Sequence, residues 1–235
     1  MRQASPVIRF CFNRCCRNLN LFLYPYDVLR LRQALGAGGR QFLDASCEIT
    51  IARGTGFPEV RLRMRKDERR TCPFVTPKGC TVYPHRPGAC RTYPLERAVE
   101  KTADGTLRSR WFLTQHSYCK GHLEEHTCTV KQWERSQQIF DFNLFNDLWA
   151  EVDALFASNP WQGEGQAGPL QQLAFMVCYN LDAFREYAQQ HSLLTAFRLE
   201  RDRRRRIEQE DSELLKFGFD WLLHVLGHRR TLRPR

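Results

Sequence analysis

Apolar residues in the C-terminal half fall at helical spacing. Beyond Val130, residues Trp133, Phe140, Leu144, Leu148, Val152 and Leu155 recur on one face, which predicts a long amphipathic helix ending before Asn159-Pro160. A polar Gly/Gln/Pro linker over residues 162–169 follows. The pattern then predicts a second helix over 170–190, a third over about 191–208 and a fourth over 213–227. The fourth carries Leu214, Phe217, Trp221, Leu222 and Val225.

The N-terminal half is mixed. Residues 1–10 read as a frayed lead-in, and 19–24 as a short apolar stretch. Pro25-Tyr26-Asp27 opens a helix to about residue 35, because proline loses no bond in the first turn and Asp27 faces the positive end of the dipole. Gly36-Ala37-Gly38-Gly39 ends it, and a second short helix is expected over 40–45. Residues 47–51 and 60–64 read as strands around a Gly54-Thr55-Gly56 turn. Arg61, Arg63 and Arg65 share one face of the second strand, read as solvated, with Leu62 and Met64 opposite. A hairpin over 95–100 and 106–113 turns at Ala103-Asp104-Gly105 and leads to a turn over 116–122 that holds His116, Cys119 and His122.

Composition supports a real core: 42% of the 235 residues are hydrophobic and 12% aromatic. Net charge is +10, and residues 1–70 hold fourteen Lys/Arg against six acids. The excess reads first as a basic surface. A nucleic-acid or acidic partner, and local neutralisation of thiolates, are the other two readings. The run Arg201-Asp202-Arg203-Arg204-Arg205-Arg206 reads as a solvated, ion-paired helix face. No apolar run approaches the length of a membrane span, and residues 1–10 lack the apolar core of a signal peptide, so the expected location is cytoplasmic.

Ten cysteines in a reducing compartment are not expected to pair as structural disulfides. Residues 71–94 concentrate three of them, Cys72, Cys80 and Cys90, among five prolines and two glycines. That much proline argues for irregular backbone held by something other than hydrogen-bond ladders. Upstream lie Cys11, Cys15 and Cys16, and downstream Cys119. Thiolates at such intervals select zinc, copper(I) or iron–sulfur clusters. The spacing fits neither a zinc finger nor a ferredoxin run. Cys178 reads as core, and Cys47 and Cys128 lean structural. His85, His116 and His122 read first as surface residues of turns, with a substitute-ligand role as the alternative. No Gly-rich nucleotide loop, serine elbow or metal-hydrolase His pair occurs.

Phe10-Cys11, Cys15-Cys16, Tyr24-Pro25-Tyr26-Asp27, Cys72-Pro73-Phe74, Gly79-Cys80, Tyr83, Arg86-Pro87, Cys90-Arg91 and Tyr93-Pro94 together resemble the YkgJ-type cysteine-cluster family, described as a zinc- or iron-chelating domain. Cys119-Lys120-Gly121 resembles its later cysteine, and Trp133, Gln137 and Asn143 the segment after it. The resemblance covers about residues 8–150. The family's name pattern carries one more cysteine ahead of the double cysteine than is present here. A related cysteine pattern occurs in flagellin lysine N-methylases, although no separate methyl-donor feature is visible. The resemblance implies Cys11, Cys15, Cys16, Cys72, Cys80, Cys90 and Cys119 as ligands of an iron–sulfur cluster or iron, with zinc as the alternative. Arg86 and Arg91 flank the thiols, where they read equally as offsetting thiolate charge and, for Arg91, as capping a turn.

The expected architecture is α+β: a metal-stabilised, loop-rich cysteine-cluster domain over 1–128 with a helical C-terminal extension over 129–235. Three function classes stay open. One is an iron–sulfur oxidoreductase or modifying enzyme. The second is a zinc-stabilised interaction module with a basic surface for nucleic acid or an acidic partner, nucleic acid not being favoured. The third is a metal carrier.

Overall fold

The computed structural model describes residues 11–52, 56–102, 106–125 and 127–235. In chain order, a 3-10 turn at Arg14–Cys16 precedes helices α1 (Pro25–Leu35) and α2 (Gly39–Ser46) and strands β1 (Cys47–Ile51) and β2 (Pro58–Leu62). Short strands β3 (Val75–Thr76) and β4 (Gly79–Cys80), a 3-10 turn at Tyr83–His85 and helix α3 (Gly88–Thr92) make up the cysteine-rich stretch. Strands β5 (Leu95–Lys101) and β6 (Leu107–Leu113) and a 3-10 turn at Lys120–Leu123 follow. The rest is helical: α4 (Val130–Gln137), α5 (Phe140–Ala157), α6 (Pro169–Tyr179), α7 (Leu181–Gln190), α8 (Leu193–Ala196), α9 (Arg201–Gln209) and α10 (Asp211–Val225). The fold is therefore α+β, with two-stranded sheets β1–β2, β3–β4 and β5–β6. Among the described residues no helix is long and apolar enough to cross a membrane. The lead-in over 1–10 and the Ala103-Asp104-Gly105 turn lie outside the described residues, as does the Gly54-Thr55-Gly56 turn except for Gly56.

The chain forms two compact units that alternate along the sequence. One holds residues 1–21 and 62–143, the other 22–61 and 144–235. The second unit has an aromatic core: Phe57, Trp149, Phe156 and Trp161 are all buried, with ring centroids of Phe57 and Phe156 at 4.3 Å. In this unit α10 packs on α1, α6, α7 and α9. Gly218 permits the close approach of α10 and α6, since a Cβ there would sit 2.7 Å from Val177 Cγ1. Arg32 is buried and ion-paired to Asp182 and Asp211, tying α1 to the start of α7 and α10.

Helix α1 spans the expected residues, with Asp27 accepting from the Tyr24 N–H at 3.0 Å and Gly36 left-handed at φ 60°. The helix expected over 213–227 is present as α10 (Asp211–Val225), whereas the other three are shorter than periodicity predicted. The helix expected from Val130 to Leu155 is broken at Gln138, which is left-handed at φ 53°. There Gln138 N–H donates to Arg135 O and Ile139 N–H to Glu134 O, a Schellman closure that turns Ile139 fully inward. The helix expected over 170–190 is two, because Asn180 leaves the helical region and caps α7 from its side chain. The one expected over 191–208 is also two. Between them, residues 196–198 bond the backbone of 233–235, through Arg198 N–H to Arg233 O and Arg235 N–H to Ala196 O. The basic run lies on α9, and its ion pairs reach across to α10 (Arg203–Asp220 at 2.5 Å, Arg206–Glu213 at 3.8 Å) as well as along the helix (Arg205–Asp202 at 3.8 Å).

Candidate metal centre

The N-terminal cysteines meet the proline-rich stretch through the backbone. Cys72 N–H donates to Cys16 O at 2.8 Å and Asn18 N–H to Arg70 O at 3.0 Å, so the 3-10 turn at Arg14–Cys16 lies alongside the entry to the loop. Asn13 sits left-handed at φ 61° and its side-chain amide donates to Thr76 O. Arg65 donates to the carbonyls of Pro73 and Val75 at 2.7 and 3.3 Å. Proline-rich backbone lacks N–H donors to close on itself, and these side chains supply them.

The stretch is less irregular than its prolines predict. β3 and β4 form a small hairpin at Val75–Cys80, closed through Gly79, whose φ of 122° requires glycine. Cys90 lies within α3, a single helical turn that begins after Pro87, where a missing N–H costs nothing.

Arg86 and Arg91 are both buried, and their bonds go mainly to the loop itself. Arg91 donates to Arg86 O, Pro84 O and Gln137 O, and its guanidinium lies 4.5 Å from the Phe142 ring. Arg86 donates to Tyr83 O and to the Gln137 side chain, stacking 3.9 Å above Tyr83. Trp133 donates to Thr92 O at 2.9 Å. So α4 grips α3 and the preceding turn, and the charge of Arg86 also acts on a thiol, that of Cys80.

Five of the seven expected ligands act on one another. Cys16 is raised well above an ordinary thiol, first because its S–H donates to Cys15, then by burial and by the charges of Cys15, Cys72 and Cys90. That same bond lowers Cys15 to about 7, against the opposing effect of burial. Cys72 and Cys80 are both raised, chiefly by burial, with Cys80 acting on Cys72 and Cys15 on Cys80. Arg65 and Arg86 offset part of this for Cys72 and Cys80 respectively. Of the five, only Cys72 is buried, Cys16, Cys80 and Cys90 are half-buried and Cys15 is exposed. Partly desolvated thiols that repel one another's charge are costly to ionise, and a soft cation removes that cost. The donor set therefore fits a thiophilic metal. Among the described residues no three Cys, His, Asp or Glu side chains stand at metal-ligand geometry. Cys11 is half-buried. Cys119 is half-buried and hydrogen-bonded by the Tyr93 hydroxyl. Of the other three thiols, Cys47 and Cys178 are buried in the second unit, and Cys128 is exposed.

Comparison with protein families decides the class. Residues 8–120 match the family model CxxCxxCC, "Putative zinc- or iron-chelating domain". This stretch is a CxxCxxCC domain. The chain matches no curated protein and no solved structure significantly. The CxxCxxCC match encloses all seven expected cysteine ligands and both arginines. It stops short of α4, which supplies Trp133 and Gln137 to the loop. Asn13 and Arg65 escaped sequence reasoning. Arg65 sits in an alternating basic run that looks solvated, and only the fold shows its reach to Pro73 and Val75.

Proposed function

We propose that Cys15, Cys16, Cys72, Cys80 and Cys90, with Cys11 at the head of their turn, hold an iron–sulfur cluster or iron, and that the protein uses it in redox or modifying chemistry. The observation that carries this is the backbone bond from Cys72 N–H to Cys16 O at 2.8 Å, which joins the two cysteine stretches, together with the charge coupling of Cys16 to Cys15, Cys72 and Cys90, of Cys72 to Cys80 and of Cys80 to Cys15. Five exceed the four cysteine ligands of one structural zinc and of one iron–sulfur cluster alike, so the measurement below decides between them. Cys119, whose thiol the Tyr93 hydroxyl engages, is the further ligand that the resemblance implies. When bound, such a cluster supplies a one-electron couple whose potential depends on burial and on hydrogen bonds to sulfur.

The chain's own residues do the rest. Arg65, Arg91 and Asn13 hold the carbonyls of the loop that carries the thiols. Arg86 adds positive charge near Cys80. Visible absorbance and elemental analysis of anaerobically purified protein test the reading. Brown protein containing iron and sulfide is expected. Colourless protein with stoichiometric zinc overturns the iron assignment in favour of a zinc-stabilised interaction module. Protein without either metal overturns metal binding itself.

A further inference from the structure

The helical unit presents a basic surface built from two chain segments. Residues 196–206 and 228–235 carry ten arginines against two acids, Glu200 and Asp202. The backbone brings the segments together. Arg198 N–H donates to Arg233 O at 2.8 Å and Arg235 N–H to Ala196 O at 3.0 Å, on either side of an antiparallel bridge between Phe197 and Pro234. Asp220 fastens the later segment beside α9. Its carboxylate accepts from Arg203 at 2.5 Å and its carbonyl from the Thr231 hydroxyl at 2.6 Å.

Register decides where the charges point. Side chains next to a bridged pair lie on the opposite face from it. Phe197 is buried, so Arg198, Arg233 and Arg235 stand on the outward face, and all three are exposed. Arg198 lies directly across from Arg233, and like charges in that position repel. Carboxylates answer only part of the surface. Arg203, Arg205, Arg206 and Arg229 are ion-paired to Asp220, Asp202, Glu213 and Glu151. Among the described residues, Arg198, Arg201, Arg230, Arg233 and Arg235 are exposed and have no carboxylate at ion-pair distance.

The other side chains of the surface narrow the choice of anion. Beyond residue 193, Val225 is the one large apolar side chain exposed among the described residues. A membrane or a protein partner is anchored by apolar side chains, and stacking of bases needs exposed rings. Neither is offered here. Guanidinium forks match pairs of phosphate oxygens, and protein–nucleic acid interfaces are the more polar and positively charged kind. We propose that the face of Arg198, Arg233 and Arg235, with Arg201 and Arg230 close by in the chain, binds the phosphate backbone of a nucleic acid without reading its sequence. A phosphate there also relieves the repulsion across the bridge. The surface lies in the helical unit, outside the CxxCxxCC match, and does not depend on the reading of the thiols.

Fluorescence anisotropy of a labelled DNA duplex, titrated with the full chain between about 50 and 200 mM salt, tests this. Wild-type affinity is expected to fall steeply with salt. The Arg198→Gln/Arg233→Gln/Arg235→Gln variant keeps the backbone bonds of the bridge. It is expected to lower the slope of log affinity against log salt by about 3, at about 0.9 per phosphate contact. Arg40→Gln/Arg69→Gln/Arg108→Gln removes the same charge from exposed positions elsewhere and is expected to keep the wild-type slope. Equal losses in the two variants mean attraction by net charge alone and overturn the proposed surface. A wild type that leaves the duplex unbound also overturns it. If polyglutamate or phosphatidylserine vesicles bind through the same three arginines and the duplex does not, the surface belongs to an acidic protein or a membrane, and the nucleic-acid assignment is overturned.

Discussion

At the scale of single residues, the thiols set a pH dependence whose sign is fixed. Cys16, Cys72 and Cys80 are all raised above an ordinary thiol in the metal-free chain, so they carry protons at neutral pH. Metal must displace those protons, and affinity must climb with pH. Below about 7 Cys15 also takes up a proton, which steepens the loss. Calorimetric titration in buffers of differing ionisation enthalpy is expected to show at least about three protons released on metal binding at neutral pH. Release of none contradicts the burial and repulsion argued for these thiols. The cysteines themselves were legible, because a proline-rich stretch has little use for soft donors at close intervals unless a metal holds it together. The work of the arginines was less so. Arg91 was expected beside thiols, and it donates to three carbonyls. No spacing rule distinguishes those partners, since Gln137 is forty-six residues away.

At the scale of elements, Arg91 joins α3, the Tyr83–His85 turn and α4 by bonds to Arg86 O, Pro84 O and Gln137 O. Arg91→Met keeps the apolar stem and removes all three bonds. Losing charge-assisted bonds of this kind costs about 1.5–3 kcal/mol each, so chemical denaturation should show a loss of about 3 kcal/mol or more in the cysteine-cluster unit. A change within error makes the arginine dispensable. In the helical unit, Gly218→Ala pushes a methyl toward Val177, a stiff side chain, 2.7 Å away. Overpacking of this kind costs about 1–3 kcal/mol, and thermal unfolding should register it, although alanine is the better helix former. The same scale shows where periodicity failed. It found the apolar faces of α5, α6 and α10 and joined helices across Gln138 and Asn180. Glutamine is a rare left-handed helix end, and the capping role of Asn180 is hidden inside an otherwise continuous apolar pattern.

At the scale of the whole molecule, two kinds of stability coexist. The helical unit has a buried aromatic core and a buried arginine paired to two carboxylates. In the cysteine-cluster unit, the 72–90 loop carries small two-residue strands and relies on side-chain donors. Metal binding free energy becomes folding free energy for such a loop. Chelation is therefore expected to lower the unfolding temperature of this unit while the far-UV signal of α6, α7 and α10 persists. A single unchanged transition contradicts that. The interleaving of the two units along the chain was not legible, because the pattern of hydrophobic positions marks elements and not their partners. The central claim is that one metal is shared by thiols far apart in sequence, and metal content across cysteine variants tests it most directly. Cys15→Ser and Cys90→Ser are expected to lower metal per chain to the same extent. Cys178→Ser, whose thiol is buried in the helical unit, should leave it at the wild-type value. Full metal in Cys15→Ser would contradict the shared site and leave the 72–90 loop to bind alone.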